Sequence, residues 1–344
     1  MVMGILNWRR RRGPDGQADN RREVAELAER ITRLSPRLRL LPRYARRLAP
    51  SIRIALDHVR AVVAGIPAPR EASPETWGTD PYIHACFGTG QDVALAFSRA
   101  ADLRDYFDAS PGTDEAFAVL GMEMVERRTL GVALEGDVMR SDVLQTTVSF
   151  NDHQIRICGD SHAGLYREIE ARMLDQLALQ GLASAAAGGI GRDERLQEMA
   201  LLSERLRLLE RQGVGMRSML GGDVSPDPEE RERLRAQIAQ IDAANGDTAL
   251  PAGQVDALER QMEGLQAALT NAGAYLLIER RRMRLSRMNV LQPDDSTAPG
   301  DDLEFLTASI PGDPRLVRTF LLVRFARATM LSRMTLLEEA ERLL

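Results

Sequence analysis

Between Thr129 and Cys158 the apolar residues stop recurring every three to four positions and begin to recur every second one. A chain that changes hydrophobic period must build helices and a sheet together, and no other feature narrows the fold class as far. "TLGVALEG" (129–136) and "DVLQTTVSFNDHQIRIC" (142–158) read as strands. In the second, Leu144, Thr146, Val148 and Phe150 alternate with Gln145, Thr147 and Ser149. Asn151-Asp152 has the chemistry of a two-residue hairpin turn. Folding about it pairs Phe150 with His153 and Val148 with Ile155, which leaves one apolar and one polar face. Strand-like segments return in "SRMNVLQP", "DLEFLTASI" and "VRTFLLVRFARA"; the last reads equally as a helix.

Helical periodicity holds elsewhere. Ile31, Leu34, Leu38, Leu41, Ala45, Leu48, Ile52, Ala55, Val59 and Val62 advance by threes and fours. Pro36, Pro42 and Pro50 interrupt this stripe and predict two or three helices rather than one rod. Further helices are expected at about 90–107, at 113–128 (capped by Thr113 or Asp114) and at 163–184, with a last one in "MLSRMTLLEEAERLL". From Val255 the apolar residues keep heptad spacing. Val255, Met262, Leu269, Leu276 and Met283 form one seam line; Leu258, Leu265, Ala272 and then Glu279 form the other. About four heptads read as a coiled coil of roughly 45 Å, folded back against 192–213 as an antiparallel hairpin or paired in parallel with a second chain.

The expected fold is therefore α+β and mostly helical, a small antiparallel β-sheet with an inserted antiparallel coiled-coil helical hairpin. Residues 1–20 are read as a flexible basic arm with a turn at Gly13-Pro14-Asp15-Gly16, 21–66 as a basic helical segment and 67–80 as a linker. Residues 81–189 and 286–344 form the body, and 190–285 the insertion.

Composition removes several chemistries. The sequence has no lysine, so all 45 basic residues are arginine. A Walker phosphate loop and Schiff-base catalysis both require that amine. Residues 1–70 hold 16 arginines against six acids, a net +10, so a chain of net −5 carries −15 in its remainder. Such a split points Arg9, Arg10, Arg11, Arg12, Arg43, Arg46 and Arg47 at an anionic membrane or nucleic acid, or at the acidic body of the same or a sister chain. Two cysteines, the absence of any run near the roughly 20 apolar residues that span a bilayer, and arginines that follow rather than precede an apolar N-terminal patch predict a cytoplasmic protein. Peripheral membrane attachment through the basic arm is the second placement.

"GDSH" (159–162) has look-alikes in two hydrolase families. SGNH-type esterases need a later Asp-x-x-His, and metallophosphoesterases need several later histidines. The chain has only His58, His84, His153 and His162, and no His or Cys follows His162. The quartet instead reads as a strand end, a Gly turn and an Asp160 or Ser161 cap on the next helix. His153 and His162, with Cys158 and nearby acids, remain the weak candidates for a metal site. No cofactor or small-molecule ligand is inferred.

At Thr79–Phe87, "DVALAFSRAADLRDYF" and "LGVALEGDVMRSDVLQTTVSFNDH", over about residues 40–160, the chain resembles a family of uncharacterised bacterial proteins, mostly proteobacterial. The resemblance implies a bacterial, cytoplasmic origin and no site residues. The functional expectation is a non-enzymatic interaction or scaffold protein, contacting a protein partner or its own copy through Val255, Leu258, Met262, Leu265, Leu269 and Leu276. A metal-dependent hydrolase around His153 and His162, and a peripheral membrane or nucleic-acid binder, are the alternatives.

Overall fold

The computed structural model describes residues 14–135, 138–187, 193–221, 228–244, 252–293, 298–310, 315–332 and 334–336. Its helices are α1 (Pro14–Leu34), α2 (Tyr44–Ala64), α3 (Pro81–Cys86), α4 (Gly90–Arg99), α5 (Ala101–Ala109), α6 (His162–Ala187), α7 (Asp193–Arg211), α8 (Arg217–Leu220), α9 (Pro228–Ala244), α10 (Ala252–Thr270) and α11 (Ala272–Tyr275). The strands are β1 (Arg70–Glu71), β2 (Glu115–Glu135), β3 (Val138–Gly159), β4 (Leu277–Leu285), β5 (Leu291–Gln292), β6 (Asp301–Ile310) and β7 (Leu316–Ala326). They form one sheet in the order β3-β2-β7-β6-β4-β5, antiparallel throughout except that β1 runs parallel beside β7. The two ends of that order meet: Thr147 of β3 bridges Val290, and the Val148 N–H donates to the Asn289 carbonyl at 2.8 Å. The sheet thus curls round on itself.

Side-chain alternation sends the two faces of each central strand into two cores. Phe320 and Leu322 of β7, with Val119, Leu306, Ala308 and Ile310, pack under α1, α2 and α6–α10. Leu321, Val323 and Phe325, with Ala116, Ala118, Leu120 and Phe305, enclose the second core with α3–α5. A strand covered on both sides is apolar at nearly every position, which is why β7 reads ambiguously in sequence and is nevertheless a strand.

The helices begin and end where local chemistry places them. Pro14 opens α1, a position where its missing N–H costs nothing. Asp80 caps α3 by accepting the N–H groups of Tyr82 and Ile83, and Thr89 caps α4 through Asp92. At the far end of α1, the buried Arg205 of α7 donates to the Arg33 and Leu34 carbonyls, a cation where the helix leaves its last acceptors unpaired. The stripe broken at Pro36 and Pro42 gives α1, a 3₁₀ turn at Pro36–Leu40, and α2; Pro50, expected to interrupt it too, lies inside α2.

Five expectations need correction. The α+β class with a mainly antiparallel sheet holds, but the coiled-coil hairpin is not what 255–283 builds. Helix α10 stops at Thr270, and Leu277–Leu285 is strand β4, with Met283 and Leu285 in the second core. The predicted insertion 190–285 therefore surrenders 277–285 to the body sheet. Leu258, Met262, Leu265 and Leu269 are wholly buried in the first core with α2 and α6. Heptad spacing reports only that one helix face is apolar, and a helix buried in its own core satisfies it equally. Where α10 crosses α6, Gly264 and Gly181 face each other: a Cβ on Gly264 would lie 2.5 Å from the Gly181 carbonyl oxygen.

Second, Asn151-Asp152 is not a turn. β3 runs straight through it, and β2 pairs with β3 from Phe117–Gly159 out to Glu135–Val138. Gly121 pairs Gln154 and Glu123 pairs Asn151, so Asp152 and His153 together oppose Met122 as a β-bulge. Asp152 has φ +48°, and tolerance of that backbone is what turns and bulges share. Third, 113–128 is strand, not helix: Ala116, Ala118, Leu120 and Met122 face one core while Phe117 and Val119 face the other. A continuous apolar run fits either period. Fourth, residues 14–20 of the expected arm and turn belong to α1. Fifth, the expected linker supplies strand β1 and buries Ala72 and Ser73. Arg9, Arg10, Arg11 and Arg12, and most of the expected closing helix, lie outside the described residues.

Candidate functional site: a projecting beta arm

β7 pairs with β2 only over Glu115–Met122. Beyond that point β2 and β3 continue as a two-stranded ribbon. Its inner face continues the face of β2 and β3 that lines the second core. Met122, Val148 and Phe150 are buried there, Met124 is partly buried, and next along the same face come the Glu126–Val148, Arg128–Thr146 and Leu130–Leu144 pairs. Leu130 and Leu144 lie directly opposite one another at 69% and 62% exposure, among the most exposed large apolar residues described. The outer backbone edge of 141–146 has no strand partner among the described residues.

The root of this arm is held on both sides. The buried Arg318 of β7 grips the Asp152 bulge: Nη1 donates to Asp152 Oδ2 at 2.7 Å, Nη2 to the Asp152 carbonyl at 2.6 Å, and Nε to the Leu220 carbonyl at 3.2 Å. Leu220 ends α8 and rests on the sheet because residue 121 is glycine; a Cβ there would lie 2.0 Å from the Leu220 oxygen. Burial alone raises the Asp152 carboxyl, but hydrogen bonds from Gln154 and Arg318 and the Arg318 charge hold it below its ordinary value. Across the bulge, the His153 ring stacks on Phe87 at 4.5 Å, and its Nε2 lies 2.8 Å from the Cys86 carbonyl and so carries the proton. Burial is the main cause of the lowered His153 pKa. Further out, Glu126 pairs with Arg281 of β4, and Asn289 Nδ2 donates to the Ala85 carbonyl at 2.8 Å.

The residues singled out in the sequence are distributed differently. His162 meets Tyr166 edge-on, and Ser161 Oγ accepts the Gly164 N–H at 3.1 Å, which makes Ser161 the cap of α6. His153 and His162 share no partner, and among the described residues no group of three or more His, Cys, Asp or Glu is placed to hold a metal ion. Of the six seam residues expected to make the contact, Leu258, Met262, Leu265, Leu269 and Leu276 are buried and Val255 is exposed. Arg47 is bound to Glu259 of α10, while Arg43 and Arg46 are exposed. Arg30 with Asp175, and Arg60 with Glu23 and Glu170, likewise join the basic head to acids within the chain. No helix among the described residues is long and apolar enough to cross a membrane.

Sequence reasoning missed the arm and the Arg318 anchor. For the arm, 122–130 carries no clean alternation, since Glu126 and Arg128 share a face with Met122, Met124 and Leu130; only Leu144, Thr146, Val148 and Phe150 on the partner strand alternate. Compared with protein-family models, with curated proteins and with solved structures, the chain matches none.

Proposed function

We propose that the chain is a self-associating interaction protein whose contact element is the β2–β3 arm, in place of the helical seam expected from sequence. One observation carries this reading: beyond the second core, past the charged Glu126 and Arg128, the same face of the arm ends in the exposed, directly opposed Leu130–Leu144 pair. The occupant is a second copy of the same chain. An antiparallel edge meets its own copy about a two-fold axis with every outward N–H opposite a carbonyl, so no separate complementary sequence is required. Residues 123–150 carry five acids and three arginines, too small an imbalance to keep two copies apart. A two-stranded ribbon is marginal alone and gains most from extension.

Multi-angle light scattering on the full chain tests this. Twice the monomer mass is expected at tens of micromolar, and the monomer mass for Leu144→Glu and for Thr146→Pro, which lacks an edge donor. A wild-type chain that stays monomeric, or a dimer that survives both substitutions, overturns the reading.

A further inference from the structure

On the opposite flank of β3 lies a cleft of about 680 Å³, walled by α5, the 156–158 stretch of β3, α6, the α7–α8 junction and the first turn of α9. That volume suits a nucleotide- or sugar-phosphate-sized molecule. Three consecutive strand residues, Arg156, Ile157 and Cys158, line it. A regular strand would turn every second one away; here a bulge opposite Ala118 and the left-handed Ile157 (φ +54°) direct all three to the cleft. Such a backbone is costly for a β-branched residue and recurs where a site dictates it.

Five arginines line the cleft, Arg156, Arg172, Arg211, Arg217 and Arg231, together with the acids Asp102, Asp105, Glu210 and Glu230. Arg156 is engaged by Asp102 at 3.3 Å, and Arg172 by Glu168, the Gly213 carbonyl and Ser218. Arg211 pairs with Glu230, but both are about half exposed (55% and 41%), so that pair is weak and exchangeable. The Nε atoms of Arg217 and Arg231 are both buried with no hydrogen-bond partner, and Arg231 forms no ion pair among the described residues. A buried N–H without an acceptor is unfavourable, and that of Arg231 belongs to a residue lining a space an anion can fill. Burial pushes the Cys158 thiol up to about 12, so it stays protonated at neutral pH and the cleft holds no thiolate nucleophile.

We propose that this cleft binds a small phosphate-bearing molecule, with the forks of Arg231 and Arg211 on the phosphate and Tyr106 beside the remainder of the ligand. Phosphate is favoured over a single carboxylate because two forks arriving from different helices, α7 and α9, match a tetrahedral group better than a planar one.

Isothermal titration calorimetry of the full-length protein with inorganic pyrophosphate, at fixed ionic strength, tests the site. Saturable binding is expected, weakened roughly tenfold or more in Arg231→Met and in Arg211→Met. Arg233→Met, which removes an exposed arginine on the same helix paired to Glu229, should bind as the wild type does. Far-ultraviolet circular dichroism confirms that each variant is folded. The proposal is overturned by an absence of saturable heat, by equal loss in Arg233→Met, by undiminished binding in both cleft variants, or by citrate binding as tightly as pyrophosphate.

Discussion

At the scale of the residue, Asp152 and Arg318 carry the most consequence. Arg318 is almost wholly buried and Asp152 is its single carboxylate contact among the described residues, although that side chain is 44% exposed. Removing a partner from a buried charge costs about 3–5 kcal/mol when both groups are buried; solvent at Asp152 reduces this, so Asp152→Ala is expected to lose about 1–3 kcal/mol in urea unfolding. The pH dependence follows from the direction of the shift. A carboxyl held below its ordinary value stabilises the fold above that value and loses the contribution as pH falls through its folded pKa. The difference between wild type and Asp152→Ala should accordingly shrink in acid below the normal carboxylate range. A gap that stays constant with pH would remove the ion pair as its cause. Gly121 is the second such position. Any side chain there meets the Leu220 backbone, so Gly121→Ala should destabilise by about 1–3 kcal/mol or displace α8. An unchanged midpoint would show that α8 does not rest on the sheet.

At the scale of the element, legibility depended on whether a pattern had one physical cause or two. The α1–α2 pair was readable because Pro36 and Pro42 fall between two helices, although Pro50 lies inside α2 without ending it. The Ser161 cap was readable because the hydrolase readings demanded downstream histidines the chain lacks. The 255–283 heptads were not, because a buried face and a dimer seam have the same spacing. Nor was the end of α10 announced: "LIERRRMRL" carries its strand signal only in Met283 and Leu285. Asn151-Asp152 failed similarly, since left-handed backbone serves a bulge as well as a turn. The α6–α10 crossing has its own test. Gly264→Ala forces the Gly181 carbonyl away and should cost about 1–3 kcal/mol, with increased hydrogen exchange in both helices. Exchange rising in α10 alone would mean that the two helices do not depend on that contact.

At the scale of the whole molecule, one sheet draws strands from residues 70–71, 115–159 and 277–326, with the helices α6–α11 between the last two groups. That division into a body interrupted by a helical stretch was visible in the order of periods. The helices' destination was not, because nothing local tells a helix which face of a sheet, or which neighbouring helix, it will cover. A chain lacking 190–285 would lose β4 and the wholly buried face of α10, so it should show no cooperative thermal transition. Cooperative melting of that shortened chain would instead mark 190–285 as an independent appendage.

The contact between Val148 and Asn289 is where the curled sheet shuts, and it lies at the foot of the ribbon. Whatever seizes the tip therefore pulls first on a clasp between the most distant strands of the molecule, before any helix feels the load. The amide of Val148 becomes a built-in gauge, exchanging its hydrogen faster whenever a load on the ribbon opens that clasp.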